Sequence, residues 1–177
     1  RSVVDATDLP VMLYDIPGRT GVAIGDDILD RLAEHEQVLA VKDATGDVPS
    51  GFSRMRRTGL AFYSGDDALN LAWLTHGAVG VVSVVGHVRA AAYREMVEAI
   101  GRGDLRRAQD LSIELDAVCN AIMGAGQGAV YAKAALELLG AIPHRSVRSP
   151  LVEADAEELA VLAERLRALG ILTQGVS

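Results

Sequence analysis

The sequence contains little cysteine, few aromatic residues and almost no lysine. Its 177 residues include one cysteine, and Phe, Trp and Tyr together account for 4% of the chain. The single cysteine, Cys119, excludes an internal disulfide framework, and its position in an apolar, helix-like run predicts a buried and inert thiol. Only two lysines accompany fifteen arginines. A lysine at a special position is therefore informative, and Lys42 occupies one.

Several kinds of functional segment are also missing. The four histidines lack the spacing of metal ligands and have no cysteine cluster beside them, so no metal site is expected. A net charge of −7 without a long basic run gives no electrostatic footprint for nucleic acid. We find no signal peptide and no apolar run of membrane-spanning length, which gives the expectation of a cytoplasmic location without a membrane partner.

Short apolar runs alternate with helical patterns in the first hundred residues. Half of the residues are hydrophobic, enough to bury a core. The predicted strands, which read as buried on both faces, are 11–14, 38–41, 61–64 and 80–84. The helices predicted after them are 26–34, 51–58, 68–76 and 90–100. This alternation predicts a parallel sheet with helical crossovers, either doubly wound or closed into a barrel.

The strand pattern stops after residue 101. The helices predicted beyond it are 105–123, 129–139 and 156–169. The glycine-rich segment 124–128 lacks a preceding strand and the Gly-x-Gly-x-x-Gly spacing, so it is interpreted as a flexible helix connection and not as a nucleotide-binding loop. The sequence thus predicts a βα region over 1–101 and a helical domain over 102–177.

Lys42 directly follows the apolar run 38–41, at the carboxyl end of a predicted buried strand. Transfer of a lysine from water into an apolar pocket penalises the ammonium form, so its pKa falls from about 10.4 toward a range where neutral amine exists. A neutral amine can attack a ketone and form a Schiff base. The alternative interpretation is a strand-end lysine whose head group simply reaches solvent.

Other polar residues also follow the predicted strands. Ligands of parallel α/β folds bind beyond the carboxyl ends of the strands. Tyr14 and Arg19 lie at and after the end of the first strand, and Lys42 at the end of the second. A phenol, a guanidinium and an amine are therefore expected on one face. Asp66 and Asp67, which precede a predicted helix, are interpreted either as helix N-caps or as ligand contacts.

The strand-end segments together resemble a known family. The segments in question are 14–20 (Tyr-Asp-Ile-Pro-Gly-Arg-Thr), 41–46 (Val-Lys-Asp-Ala-Thr-Gly), 64–67 (Ser-Gly-Asp-Asp), 80–84 (Gly-Val-Val-Ser-Val) and 132–140. In order and spacing they are similar to motifs of the dihydrodipicolinate synthases (4-hydroxy-tetrahydrodipicolinate synthases). These belong to the pyruvate-dependent, Schiff-base-forming aldolase family, which also contains N-acetylneuraminate lyase. The resemblance covers essentially the whole chain.

The resemblance implies a fold and an assembly. Family members are (β/α)8 TIM barrels followed by a small helical domain, and they are usually homotetramers built as dimers of dimers. By analogy, 1–101 corresponds to the C-terminal half of the barrel, with its fifth to eighth strands, and 102–177 to a C-terminal three-helix domain. The family's Gly-Thr-Thr-Gly-Glu-Ser loop, which holds the pyruvate carboxylate and supplies a threonine, and a tyrosine donated across the subunit interface belong to the half without a counterpart here.

The resemblance also implies roles for individual residues. Lys42 would form an imine with pyruvate, which takes the place of a cofactor, and Tyr14 would shuttle protons. Arg19 would bind the carboxylate of L-aspartate 4-semialdehyde, in the diaminopimelate route to lysine. Gly65 would let the backbone approach the ligand, and the carbonyl group of Val82 would face the imine nitrogen. Taken without the resemblance, the residues favour an aromatic plug for Tyr14 and a solvated loop residue for Arg19.

Three functional hypotheses follow. The first is a lyase that condenses pyruvate with aspartate semialdehyde. The second keeps the imine chemistry but acts on 2-keto-3-deoxy sugar acids or N-acetylneuraminate. The third is a catalytically incomplete half barrel, either an assembly partner or simply a truncated product. Because a half barrel exposes strand edges and an apolar interior, these residues are not expected to persist as a folded monomer.

Overall fold

A four-stranded parallel sheet organises the first part of the chain. The computed structural model describes residues 2 and 4–173. The strands, which pair in the order β1-β2-β3-β4, are β1 (Val11–Asp15), β2 (Val38–Asp43), β3 (Ala61–Ser64) and β4 (Gly80–Val81). All three pairings are parallel. The predicted α/β fold with a parallel sheet is thereby confirmed. The fourth strand is shorter than the predicted 80–84, because the ladder with β3 ends at Val81.

Helices follow each of the first three strands. They are α1 (Pro17–Thr20), α2 (Asp26–Ala33), α3 (Val48–Thr58) and α4 (Asn70–Thr75). α3 begins three residues before the predicted 51–58, because the Asp47 side chain accepts a hydrogen bond from the Ser50 amide and caps it there. α4 begins later than the predicted 68–76, since a turn of 3-10 helix over Asp67–Leu69 precedes it. Another such turn covers Val4–Ala6.

The core of this region lies on one face of the sheet. Leu13, Val41 and Phe62 are partners across β1, β2 and β3, and successive side chains of a strand point to opposite faces. Val41 and Phe62 are fully buried, and Leu13 packs against the same cluster. Leu29 of α2 and Trp73 of α4 belong to this cluster too. Part of the predicted apolar runs therefore forms this core, whereas burial on both faces is wrong, since Leu39 of β2 is 53% exposed.

Trp73 is the centre of an aromatic group in this core. Its ring lies 6.0 Å from the ring of Phe62 and 5.6 Å from that of Phe52, measured between centroids. The Trp73 side chain also contacts the backbone of α3 at Gly51, where a Cβ atom would lie 2.0 Å from Cη2 of the indole. Gly51 is therefore required for α3 to pack this closely on Trp73.

The remaining helices form a second compact unit. They are α5 (Gly86–Gly101), α6 (Leu105–Met123), α7 (Gly128–Leu138) and α8 (Ala156–Ala168). The three predicted tail helices are confirmed to within a residue at each end. α5 has non-helical backbone angles at Arg89, directly before the predicted start at residue 90. Cys119 is buried in α6, as expected.

Contacts divide the described part of the chain into two compact units, with the boundary after Ser83. The predicted domains, 1–101 and 102–177, placed α5 with the sheet, whereas α5 packs against α6 and α7. The ends of those predicted ranges (1, 3 and 174–177) lie outside the described residues. In the part of the chain that is described, no helix combines the length and apolar composition needed to cross a membrane.

Replacement of Gly51 by alanine is expected to destabilise the protein, although alanine normally stabilises a helix interior. The added methyl group would overlap the buried Trp73 ring, at a cost of about 1 to 3 kcal/mol in the free energy of unfolding. Urea denaturation followed by circular dichroism measures this. Gly101→Ala is the control, because a Cβ atom at Gly101 of α5 meets nothing within 4 Å. Equal stabilities of the two variants would contradict the packing described.

Candidate active site

Tyr14, Lys42 and Tyr63 form a row across three strands. Tyr14 is the partner of Lys42 in the β1–β2 pairing, and Lys42 is the partner of Tyr63 in the β2–β3 pairing. Their side chains therefore point to the same face, opposite the face that carries Leu13 and Phe62. The row lies near the carboxyl ends of the strands, where parallel α/β folds bind ligands. The structure thus brings together the phenol and the amine that the sequence placed on one face.

The Lys42 amine contacts the Tyr14 ring. Its Nζ atom lies 4.0 Å from the centroid of that ring. The face of an aromatic ring attracts a nearby cation, so this contact holds the end of a flexible side chain in place. Lys42 is partly buried and Tyr14 is exposed over 44% of its surface. The amine is therefore neither solvated on all sides nor closed off from a small molecule.

Gly65 makes room for the Lys42 side chain. A Cβ atom at Gly65 would lie 2.9 Å from both Cγ and Cε of Lys42, and 3.0 Å from the Cβ atom of Ala44. The Gly65 amide donates a hydrogen bond to the carbonyl oxygen of Asp43, at 2.7 Å. The backbone thus passes directly beside the lysine stem. The backbone at Gly65 therefore lies close to the Lys42 side chain. The expected close approach of this backbone to a ligand stays a prediction.

Arg19 lies in the loop that follows β1. The loop contains the short helix α1, which ends at Gly21 in the left-handed conformation, with φ of 77°. The Thr20 hydroxyl donates to the carbonyl oxygens of Ile16 and Val22, at 3.0 and 2.9 Å. Arg19 is exposed, and its guanidinium has no hydrogen-bond or ion-pair partner within residues 2 and 4–173. It is free to bind an anion.

Val82 lies one residue beyond β4. Its amide donates to the carbonyl oxygen of Ser64, at 2.8 Å, and this bond completes the last pair of the β3–β4 ladder, Ser64 with Val81. The expected role of its carbonyl group stays a prediction.

For Asp66, the sequence left a helix N-cap and a ligand contact as alternatives. The structure supports the N-cap, because the Asp66 carboxylate accepts a hydrogen bond from the Ala68 amide at 3.1 Å. Asp66 is thus a cap of the turn before α4.

Two buried carboxyl groups lie on the opposite face, one residue after Tyr14 and Lys42. Asp15 and Asp43 are partners across β1 and β2 and are 3% and 1% exposed. Oδ1 of Asp43 accepts hydrogen bonds from the amide and hydroxyl groups of Thr45, at 2.9 and 2.8 Å. Its Oδ2 atom is buried without a hydrogen-bond partner among the described residues.

Burial raises the pKa of Asp43 above its ordinary value, because desolvation penalises the charged form. The hydrogen bonds from Thr45 act in the opposite direction, and the nearby Asp15 carboxylate raises this pKa further. Arg54 lowers it. Arg54 itself forms an ion pair with Asp15, with 3.2 Å between Nη1 and Oδ2.

Sequence reasoning missed this polar layer. Asp15 and Asp43 stood only within the segments 14–20 and 41–46, and the sequence predicted no role for them or for Arg54. A signal was present, because in each strand an acidic residue directly follows the residue chosen for chemistry, as in Tyr14-Asp15 and Lys42-Asp43. Alternation along a strand places such a residue on the buried face, where a carboxylate needs partners.

Fold and site together define a class of protein. The chain is an α/β protein with a lysine amine and a tyrosine at the carboxyl edge of a parallel sheet. The described residues contain no group of three or more His, Cys, Asp or Glu side chains placed to hold a metal ion. The model of the dihydrodipicolinate synthetase family matches residues 1–169. The chain therefore belongs to the dihydrodipicolinate synthetase family, which is a family of enzymes.

Curated relatives support this assignment. The 4-hydroxy-tetrahydrodipicolinate synthase of Kineococcus radiotolerans is 51% identical over 170 residues, which are 96% of this chain and 55% of that protein. The Bifidobacterium longum synthase is 44% identical over 172 residues, with 97% and 57% covered. The chain thus spans a little more than half the length of the curated relatives it matches.

Solved structures agree on the fold. Dihydrodipicolinate synthase from Aquifex aeolicus superposes with a TM-score of 0.91 at 30% identity, covering 98% of this chain and 60% of that one. The chloride-inhibited enzyme from Acinetobacter baumannii, solved with pyruvate, gives a TM-score of 0.88 at 31% identity, covering 97% and 59%. The enzyme from Cyanidioschyzon merolae, solved with lysine, gives 0.86 at 35%, covering 97% and 59%.

The raised pKa of Asp43 predicts a pH-dependent stability. Because the folded state binds the Asp43 proton more tightly than the unfolded state, this residue's contribution is fully present below its unfolded pKa and is lost as pH rises through its folded pKa. Asp43→Asn keeps an acceptor for Thr45 and carries no charge. The free energy of unfolding of the variant, relative to that of the native protein, should therefore rise as the pH is raised from about 4 to about 8.

Urea denaturation at both pH values tests this prediction. Asp47→Asn is the control, because its free energy of unfolding, relative to that of the native protein, should change with pH in the opposite direction. The pKa of exposed Asp47 is lowered by hydrogen bonds from the Ser50 side chain and amide. Its contribution is therefore present above the unfolded pKa and is lost as pH falls. If both variants changed in the same direction with pH, the assignment of Asp43 would be refuted.

Proposed function

We propose that the protein containing this chain condenses pyruvate with L-aspartate 4-semialdehyde through an imine on Lys42. The single observation that carries this is the contact between the Lys42 amine and Tyr14 at the carboxyl edge of the sheet, with Nζ 4.0 Å from the ring centroid. Membership of the family and the names of the curated relatives support the reaction class. The pyruvate complex of the Acinetobacter enzyme supports pyruvate as the first substrate.

The chemistry needs an amine and proton transfers, and no cofactor. The neutral Lys42 amine attacks the keto carbon of pyruvate, and loss of water gives an imine. The protonated imine withdraws electrons, so that a methyl proton of the pyruvate unit is lost and an enamine forms. The enamine carbon attacks the aldehyde carbon of the second substrate and forms the new carbon–carbon bond. The amino group of the semialdehyde unit then attacks the former keto carbon, and cleavage of that carbon's bond to the Lys42 nitrogen closes the ring and releases the lysine amine.

Tyr14 is assigned the proton transfers. Formation of an imine requires a proton to leave the attacking nitrogen and another to reach the departing oxygen. The phenol of Tyr14 stands on the neighbouring strand, in register with Lys42, and its ring already touches the amine. This positioned phenol beside the reacting nitrogen supports the assignment.

Arg19 is assigned the carboxylate of the second substrate. A guanidinium binds a carboxylate through two parallel hydrogen bonds, which suits aspartate semialdehyde better than the hydroxyl groups of a sugar acid. Arg19 is exposed and unpaired within the described residues, on the loop that follows the Tyr14 strand. The alternative lyase of sugar acids shares the Lys42 chemistry, and comparison of the aldehyde substrates separates the two.

We further propose that additional strands complete the sheet, as in the family's (β/α)8 barrel. The face that carries Tyr14 and Lys42 exposes apolar side chains, with Met12 at 41% and Val82 at 37%. Leu39 on β2 is 53% exposed. β1 forms one edge of the described sheet. Such a face and edge are stable when covered. The covering half comes from the same protein or from another chain, and a cytoplasmic homotetramer is the assembly we propose.

Treatment with pyruvate and borohydride should modify Lys42 in the complete native protein. Borohydride reduces an imine to a stable secondary amine, so intact mass should increase by one reduced pyruvate unit, and peptide mapping should place it at Lys42. Lys42→Arg should abolish the adduct, because a guanidinium does not form the imine.

The second lysine of the chain provides a matched control. Nζ of Lys133 donates a hydrogen bond to the carbonyl oxygen of Ser146 at 2.6 Å, within the helical unit. Lys133→Arg should therefore leave the adduct unchanged. An adduct that persists in Lys42→Arg, or that moves to Lys133, would refute the proposed nucleophile. Absence of any adduct in the native protein would refute the imine mechanism.

Arg19→Ala should raise the KM for aspartate semialdehyde about 10- to 100-fold, because a charge-assisted hydrogen bond contributes about 1.5 to 3 kcal/mol. The pyruvate adduct on Lys42 should form as before. Arg19→Lys keeps the charge but lacks the planar guanidinium, so its KM should lie between those of the native protein and Arg19→Ala. Steady-state kinetics with each aldehyde measures this. If a neutral sugar aldehyde were preferred and Arg19→Ala had no effect, the sugar-acid reaction would replace the synthase.

A further inference from the structure

The loop that carries Arg19 is closed at its base by hydrogen bonds. We define the Arg19 loop as residues 16–25, between the last residue of β1 and the first residue of α2. The Asp15 side chain, just before the loop, accepts a hydrogen bond at Oδ1 from the Ile24 amide, at 3.1 Å. This bond spans nine residues and brings the two ends of the loop together. Asp15 is 3% exposed, so water competes little for it.

Arg54 bonds both flanks of the Arg19 loop. Its Nη1 atom lies 3.2 Å from Oδ2 of Asp15, the residue before the loop. Its Nε atom donates to Oδ1 of Asp26, the residue after the loop, at 2.8 Å. The hydrogen bond from Arg54 is the main cause that lowers the pKa of Asp26. One guanidinium on α3 therefore holds two residues that are eleven positions apart in the chain.

The environment of Arg54 distinguishes it from an ordinary surface arginine. Its side chain is only 16% exposed, and its partner Asp15 is almost completely buried. Ion pairs of exposed side chains contribute little, whereas a buried carboxylate depends on its partner. A planar guanidinium with several donors can serve two carboxylates at once, and a lysine cannot match that geometry.

Arg57 provides an internal comparison. It lies one helical turn further along α3 and also pairs with Asp26, at 3.5 Å, and with Asp30, at 2.7 Å. Arg57 thus joins α3 to α2 much as Arg54 does. Neither of these two ion pairs involves Asp15 or the Arg19 loop. The two arginines share a helix, a charge and one partner, and they differ in the contact with Asp15.

We propose that Arg54 is a positioning residue that fixes the Arg19 loop, and through it the carboxylate-binding guanidinium of Arg19. This inference rests on the function proposed for Arg19. Arg54 is not placed to touch substrate. A loop clasped at both ends presents Arg19 in a restricted set of positions, so less freedom is lost when a carboxylate binds. The selectivity for an acidic aldehyde thus depends on a residue of α3 that no loop motif contains.

We call the bonds from Arg54 to Asp15 and Asp26 the clasp. Hydrogen exchange of the complete native protein tests, without any substrate, whether the clasp holds the Arg19 loop closed. In Arg54→Met, amides of the Arg19 loop, Ile24 above all, should exchange about 10-fold faster, because their closed state loses its support. In Arg57→Met the same amides should exchange at the native rate, although an ion pair to Asp26 is lost there too. Unchanged exchange in Arg54→Met, or equal acceleration in both variants, would overturn the proposal.

Kinetics test whether the clasp acts through Arg19. Arg54→Met should raise the KM for aspartate semialdehyde about 3- to 10-fold and leave adduct formation by pyruvate unchanged. In an Arg19→Ala background the same substitution should add nothing, since its effect passes through the missing guanidinium. An equal increase in both backgrounds would overturn the positioning role. If Arg19→Ala itself has no effect, the proposed substrate is wrong, and hydrogen exchange still decides whether the clasp exists.

A second variant separates the clasp from the burial of an unpaired charge. Arg54→Met leaves the Asp15 carboxylate without its cation, which can destabilise the fold. The double variant Arg54→Met with Asp15→Asn removes that charge and keeps a side-chain acceptor for the Ile24 amide. The ion pair between residue 54 and Asp26 is still absent. Hydrogen exchange of the Arg19 loop should therefore stay fast, and the KM for aspartate semialdehyde should stay raised. A return of both to native values would show that the unpaired carboxylate caused the effect, and would overturn the proposal.

Discussion

The parallel register of β1 and β2 is the constraint on which the site depends. Because side chains alternate along a strand, the pairing of Tyr14 with Lys42 also pairs Asp15 with Asp43 on the other face. A slip of one residue would bury the amine and phenol and expose the two carboxyl groups. One set of backbone hydrogen bonds therefore determines both the face that carries Tyr14 and Lys42 and the face that carries Asp15 and Asp43.

Much of this arrangement could be predicted from the sequence, for physical reasons that particular residues illustrate. The apolar run before Lys42 identified β2, and the general rule for parallel sheets placed Lys42 and Tyr14 at one edge. The length of β4 could not be predicted, because the apolar run continues to Val84 while its pairing with β3 ends at Val81. Apolar composition reports burial, and pairing depends on a neighbour that is distant in the sequence.

The parts that sequence reasoning missed are tertiary contacts between charged residues. Arg54 stands in a short basic run, 54–57, that predicted no site, and only the approach of α3 to the end of β1 gives it Asp15 as a partner. Gly65 was expected to let the backbone approach a ligand, and the atoms that a Cβ there would meet in the structure include those of the Lys42 stem. In both cases the residue type indicated that a contact was possible, and the tertiary structure determined which residue is contacted.

The aromatic group around Trp73 has a practical consequence for following the folding of this protein. Trp73 is the only tryptophan in the sequence, is 1% exposed and lies wholly within the sheet-containing unit. Indole emission therefore reports the solvation of that unit alone, and α6, α7 and α8 contribute to circular dichroism without contributing tryptophan emission. A mismatch between the two optical signals would measure how far the two compact units unfold independently of each other.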